Sequence, residues 1–257
     1  MNRFIILMYH MISEPKTAKE IKYACPPEVF DKHMEQLKLN GFNPVSLEQI
    51  EQHLLFNKGL PENAVAITLD DGFADNYTHA FPILAKHQVP ATIFLTTGCL
   101  GSTNHWMTLE GFPTRKMLDW QQIREMDKYD ITFGAHTVFH PKLPELDIHS
   151  ATDEIINSKE VIEDNLGKPC KHFAYPYGLF NTGNRNSVES AGYTLACSTR
   201  SGFNNIHRDP FILHRIEVYG NDPWWKLKQK MAFGINDASL LFPIKYYTNR
   251  LVNRLTI

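Results

Sequence analysis

Short apolar runs alternate with amphipathic helical patterns along most of this 257-residue chain, and no other feature restricts its fold as much. The runs are Phe4 to Tyr9, Pro44 to Ser46, Ala64 to Leu69, Ala91 to Leu95, Ile131 to Ala135, His172 to Tyr175, Thr194 to Ser198 and Phe211 to Val218. Helical patterns lie between them, from Pro27 to Asn40, Leu47 to Asn57, Asn76 to His87, Asp119 to Asp127, Ala151 to Asn165 and Asn184 to Ala191, with a last one from Pro223 to Phe233. Pro27 near a first turn and Gly41 past an end are the expected punctuation. Strand–helix–strand repeats of this length require a parallel sheet with helices outside it. With seven or eight strands, the expected fold is α/β, a distorted (β/α) barrel in a single domain. Chemistry in such barrels sits at the C-terminal ends of the strands.

Composition narrows the function classes. Hydrophobic residues make up 43% and charged residues 21%, with a formal net charge of −2 and no dominant basic stripe, so nucleic acid is not an implied partner. Cys25, Cys99, Cys170 and Cys197 form no C-x-x-C pair, a pattern of reduced thiols. The apolar start M-N-R-F-I-I-L-M-Y-H is too short for a signal sequence and reads as a first strand. No stretch reaches the ~18 apolar residues of a membrane-spanning helix. The expected location is cytoplasmic.

Four motifs fall at predicted strand ends. V-A-I-T-L-D-D-G closes one strand with Asp70 and Asp71; neighbouring strand side chains alternate between faces, so both acids are not expected in the core. G-A-H-T-V-F-H-P follows another strand and carries His136 and His140, four residues apart. Two histidines and one carboxylate form a hydrolytic metal set that leaves positions open for water and substrate. Non-haem iron oxygenases use the same ligand types but offer no use for a second acid. F-A-Y-P-Y-G, residues 173 to 178, fixes a turn whose backbone N–H groups can face an oxyanion. I-L-H-R-I directs one of His214 and Arg215 toward the barrel interior.

In this order the motifs resemble the polysaccharide deacetylase family, also called the NodB-homology or carbohydrate esterase 4 family. L-M-Y-H, P-P-E-V-F-D-K-H-M-E-Q-L-K-L-N-G-F and V-S-L-E-Q-I extend the likeness toward members that act on bacterial surface glycans, over residues 4 to 220. The resemblance implies Asp70 as general base, Asp71, His136 and His140 as ligands of one divalent metal, usually zinc, and the Tyr177 N–H as oxyanion donor. It implies His214 as general acid if Ile212 replaces the family's leucine. The arginine that often braces the base is replaced here by Ala174, which makes Arg215 the candidate for that role. His10, Trp106, Trp120 and Tyr175 are the expected substrate wall. The expected activity is metal-dependent removal of an N-acyl group from an amino sugar in surface-glycan synthesis. Its rivals are an amidase acting on a small amide or imide and a silent carbohydrate-binding protein.

The tail is read separately from the barrel of residues 1–237. From Ala238 to Ile257 there is no acidic residue, while Lys245, Arg250 and Arg254 are basic. Leu240, Ile244, Tyr247, Leu251 and Leu255 form one helical stripe, either docked on the barrel or lying on an anionic membrane surface.

Overall fold

The computed structural model describes residues 3–242. β1 (Ile5–Tyr9) leads through a 3-10 turn at Ala18–Lys22 to α1 (Pro27–Leu39), which buries Phe30, Met34 and Leu37 along one face. The short β2 (Asn43–Pro44) precedes α2 (Leu47–Phe56), whose start is set by a reciprocal Ser46–Gln49 capping box. β3 (Ala64–Leu69) runs into a π-helical turn at Asn76–Ala80 and then α3 (Phe81–His87), so the helix expected from Asn76 begins as a wider turn. After β4 (Ala91–Leu95), the long connection contains the single-turn α4 (His105–Leu109).

α5 (Trp120–Met126), capped by Asp119, leads to β5 (Ile131–Ala135) and α6 (Ile148–Leu166). Asp147 accepts from the His149 and Ser150 amides, which is why α6 starts ahead of the expected Ala151. β6 (His172–Ala174), α7 (Thr182–Ser190), β7 (Leu195–Cys197), β8 (Ile216–Glu217) and α8 (Trp224–Phe233) complete the described chain.

All strand pairs are parallel, in the order β7-β6-β5-β4-β3-β1-β8, with β2 on β3. The segment leading into β8 touches both ends of that path. Leu213 bridges Cys197 on β7, and Ile216 and Glu217 pair with Leu7 and Met8 on β1. The sheet therefore curls into a distorted barrel. Only two residues of the expected Phe211 to Val218 strand are regular, because the segment changes partner midway.

Alternation along β3 sorts its residues. Val65, Ile67 and Leu69 pack with the helices, while Ala64 and Ala66 belong to a second cluster with Ile6, Phe94, Ala174, Leu195 and Leu213. That second cluster fills the barrel, where space is short: a Cβ on Gly134 would lie 2.6 Å from the Phe94 ring and 2.7 Å from the His172 carbonyl oxygen. The four cysteines are buried and free. Of the predicted tail stripe, Leu240 is exposed, and Ile244, Tyr247, Leu251 and Leu255 lie outside the described residues.

Candidate active site and metal centre

Two consecutive acids reach one cavity because β3 ends between the strand and the turn. Asp70 continues the inward phase of Ala66 and Thr68, and its amide still bonds the Tyr9 carbonyl at 2.9 Å. The next residue leaves the strand: Asp71 has φ +76° and Gly72 φ +81°, so the alternation stops and the Asp71 side chain turns to the same cavity. Both acids are buried, at 2% and 4% exposure, which corrects the expectation that one of them would lie outside the core. The turn is pinned by Thr96 N–H on the Asp71 carbonyl and Leu118 N–H on the Gly72 carbonyl.

The two acids meet different partners. Asp70 is gripped by the fully buried Arg215, with Nη1 donating to Oδ1 at 2.6 Å and Nη2 to Oδ2 at 2.7 Å. Arg215 is itself oriented by Thr68 Oγ1 at 3.2 Å and by the Ser198 carbonyl at 3.0 Å. Burial pushes the Asp70 carboxyl up, but the Arg215 charge and hydrogen bonds outweigh it and hold the group below the usual carboxylate range. Asp70 is thus a fixed, ionised carboxylate. Arg215 occupies the bracing position that Ala174 leaves open.

Asp71 faces imidazoles. Its Oδ1 lies 3.5 Å from His136 Nε2 and 3.4 Å from His140 Nε2. His136 Nδ1 is 2.7 Å from the Ala174 carbonyl, which can only accept, so Nδ1 donates and Nε2 is the nitrogen that faces Asp71. Burial lowers this imidazole, but Asp71 and Asp70 outweigh it and hold it above the usual range. Burial drives the His140 imidazole down to about 3, against the opposing pull of Asp71, so its ring is neutral at pH 7. Asp71 is held well below the carboxylate range: burial raises it, and His136, His140 and His10 together more than offset that.

One ligand atom from each of Asp71, His136 and His140 can be chosen so that all lie within 4.8 Å of one another. Asp71 Oδ1, the atom that faces both Nε2 atoms, is buried with no hydrogen-bond partner. Orphaned polar atoms in such a position are costly unless something else satisfies them. The donor set fits a divalent cation.

These groups line a cavity of about 210 Å³. His10, Trp106 and Tyr177 line it as well. The Trp106 indole stacks on His140 with centroids 4.9 Å apart, and the Tyr177 ring meets the same imidazole edge-on at 4.6 Å. Tyr177 has φ +57°, a left-handed conformation inside the Pro176–Gly178 turn. The His10 carbonyl is anchored by Asn76 Nδ2 at 2.9 Å, and its ring meets Tyr23 edge-on.

Three expectations are corrected. His214 does not line the cavity: Arg215 faces inward, so the preceding side chain lies against Gly202, where a Cβ would fall 2.4 Å from its Nδ1. Tyr175 is completely buried and donates to the Phe211 carbonyl at 3.2 Å, so it is packing and not substrate wall. Trp120 packs against the main core at the start of α5.

The cavity also holds Lys22, Tyr23, Glu110, Thr199 and Glu217, which the motifs did not single out. Glu217 lies two residues beyond Arg215, and only the observed inward direction of Arg215 assigns it to the cavity side. Lys22, which pairs with Glu217 at 3.1 Å, and Glu110 sit outside the regular strands and carry no periodic signal.

A parallel barrel with a two-histidine, one-carboxylate set beside a braced acid fits the class of metal-site hydrolases. Within it, the profile of the polysaccharide deacetylase family matches residues 57–196, and the chain belongs to that family. It is 29% identical over 213 residues to the putative polysaccharide deacetylase YxkH of Bacillus subtilis (strain 168), covering 83% of this chain and 70% of that relative. It is 27% identical over 237 residues to the poly-β-1,6-N-acetyl-D-glucosamine N-deacetylase of Staphylococcus aureus (strain MSSA476), covering 84% and 79%. Among solved structures, the Streptococcus pyogenes deacetylase PplD in complex with acetate superposes with a TM-score of 0.77 at 28% identity, covering 89% of this chain and 98% of that one. IcaB from Ammonifex degensii has the same fold, with a TM-score of 0.76 at 24% identity and coverage of 90% and 97%.

Proposed function

We propose that the protein is a metal-dependent N-deacetylase acting on a glycan of N-acetylglucosamine. The carrying observation is the clustering of Asp71, His136 and His140, with Asp71 Oδ1 unpartnered, beside an adjacent carboxylate locked by Arg215. The likeness to a relative named for poly-β-1,6-N-acetyl-D-glucosamine supports the substrate class. When bound by Asp71, His136 and His140, a divalent cation supplies Lewis acidity to water and to the acyl carbonyl.

The residues divide the remaining work. Asp70, ionised and immobilised by Arg215, accepts the proton of the attacking water as its oxygen adds to the acyl carbon. The Tyr177 backbone N–H, presented by the left-handed turn, donates to the developing oxyanion. His10 gives a proton to the departing nitrogen as the C–N bond breaks. It lines the cavity and lies close enough to Asp70 and Asp71 to act on both electrostatically, whereas His214 does not line it. Trp106, Tyr177 and Phe112 supply apolar wall for a sugar ring.

The test is acetate release from N-acetylated β-1,6-linked glucosamine oligomers before and after chelation, and again after Zn2+ is restored. Release that disappears and returns agrees with the proposal. Release indifferent to chelation, with the metal demonstrably removed, excludes it.

A further inference from the structure

The segment joining the two histidines is irregular, yet its backbone is held from two sides. The His136 amide donates to the Leu95 carbonyl at 2.9 Å, and the Thr137 and Val138 carbonyls accept from the Thr97 and Gly98 amides at 3.2 and 2.8 Å. Those bonds tie it to the end of β4. On the other side, Glu154 Oε2 accepts from both the Val138 amide at 2.8 Å and the Phe139 amide at 2.9 Å. Thr137 Oγ1 takes the His140 amide at 3.0 Å and closes the turn. The conformation so held is an uncommon one, with Thr137 at φ +67° and His140 at φ +59°. A β-branched residue and a histidine at positive φ persist only where their surroundings impose them.

We infer that Glu154 is a positioning residue for the metal-ligand pair, a carboxylate on the rigid α6 that holds the loop in the one shape that aims His140 at Asp71. The inference rests on the metal reading above and adds a residue outside the cavity to it. Its geometry explains why a single oxygen suffices. Two successive amides converge on one acceptor, and the charge strengthens both bonds. α6 is nineteen residues long and packs Ala151 and Ile155 into the core beside Glu154, so the acceptor does not move with the loop. Without it, the two amides lose their acceptor and the turn into the left-handed His140 is held from the β4 side and by Thr137 alone. His136, bonded at its own amide and at Nδ1, stays in place.

The experiment measures Zn2+ affinity by competition with a chelator, on the full chain, for wild type, Glu154→Ala, Glu154→Gln and Asp153→Ala. Asp153 is the exposed neighbour on the same helix. Glu154→Ala is expected to weaken Zn2+ binding about 10- to 100-fold, as removal of a group that orients a ligand does. Glu154→Gln, which keeps a neutral oxygen acceptor, should weaken it only several-fold, and Asp153→Ala should leave it unchanged. Wild-type affinity in Glu154→Ala, or an equal loss in Asp153→Ala, overturns the inference. If Glu154→Ala does not fold, Glu154→Gln decides: a several-fold loss supports the role and an unchanged affinity overturns it. A wild type that binds no Zn2+ overturns the ligand set itself, which is a different result from tight binding that ignores Glu154.

Discussion

The barrel buries an acid with histidine at each of its two ends, and the two arrangements differ in one respect. At the N-terminal end of the strands, Glu51 on α2 meets His172 at 3.4 Å and Lys171 at 3.6 Å, and neither Glu51 nor His172 has an orphaned buried atom. At the C-terminal end, Asp71 Oδ1 and His140 Nδ1 are buried without partners beside an open cavity. Both acids are depressed against their burial, Glu51 by His172 and Lys171, Asp71 by His136, His140 and His10. Depression of a carboxyl therefore does not separate structure from site. What separates them is that Asp71, His136 and His140 bring three donor atoms together at a cavity, whereas Glu51 pairs with His172 and Lys171 away from it.

The largest effects should come from the C-terminal end. Asp70→Asn is expected to lower kcat/KM by about 10²- to 10⁴-fold while Zn2+ content stays at the wild-type level, since base catalysis is worth that much. Loss of metal in this variant would make Asp70 a ligand and redraw the site. His10→Ala should show a loss of the same order in steady-state turnover, whereas His214→Ala should stay within a factor of about two, because it removes nothing the transition state meets. The reverse ranking would return the acid role to His214.

Arg215→Met should be next, destabilising the protein by about 3–5 kcal/mol in denaturant melts, because it leaves a buried carboxylate unpaired. Asp70 in the wild type titrates below the carboxylate range, so the stability it confers is complete above that range and is lost as pH falls through the folded value. In Arg215→Met the largest group opposing burial is gone, only His136 and His10 still oppose it, and the value rises. The acid limb of the kcat/KM profile should then move to higher pH, and an unmoved limb would deny Arg215 its hold on Asp70.

Glu51→Gln should give the smallest change in function. Its depressed carboxyl contributes stability present above the ordinary glutamate range and lost below it, so the variant should melt earlier at neutral pH and converge with wild type in acid. Deacetylation per folded molecule should not change. A catalytic defect would mean that the two ends of the barrel are coupled.

How much of this was legible in the sequence depended on regularity. Strand ends could be located from apolar runs, so Asp70, Asp71, His136 and His140 could be assigned to one rim. The Asp71 side chain could not be aimed, because its direction follows from φ +76° just beyond β3. His214 and Arg215 adjoin, and the phase of a segment that switches partner between Leu213 and Ile216 cannot be read from periodicity. Tyr175 and Tyr177 flank one proline; only the turn geometry buries the first and leaves the second at the cavity. Glu154 had no signal, since the atoms it holds are backbone amides of another segment, identical at every position.

The central claim is that Asp71, with His136 and His140, holds a divalent metal that Asp70 works beside. It is tested most directly by equilibrating wild type and Asp71→Asn with Zn2+, removing free metal, and measuring the metal-to-protein ratio of each. The account predicts about one Zn2+ per chain in wild type and strongly reduced retention in the variant, as expected for a site with three protein ligands. Equal, near-stoichiometric Zn2+ in both proteins would contradict it.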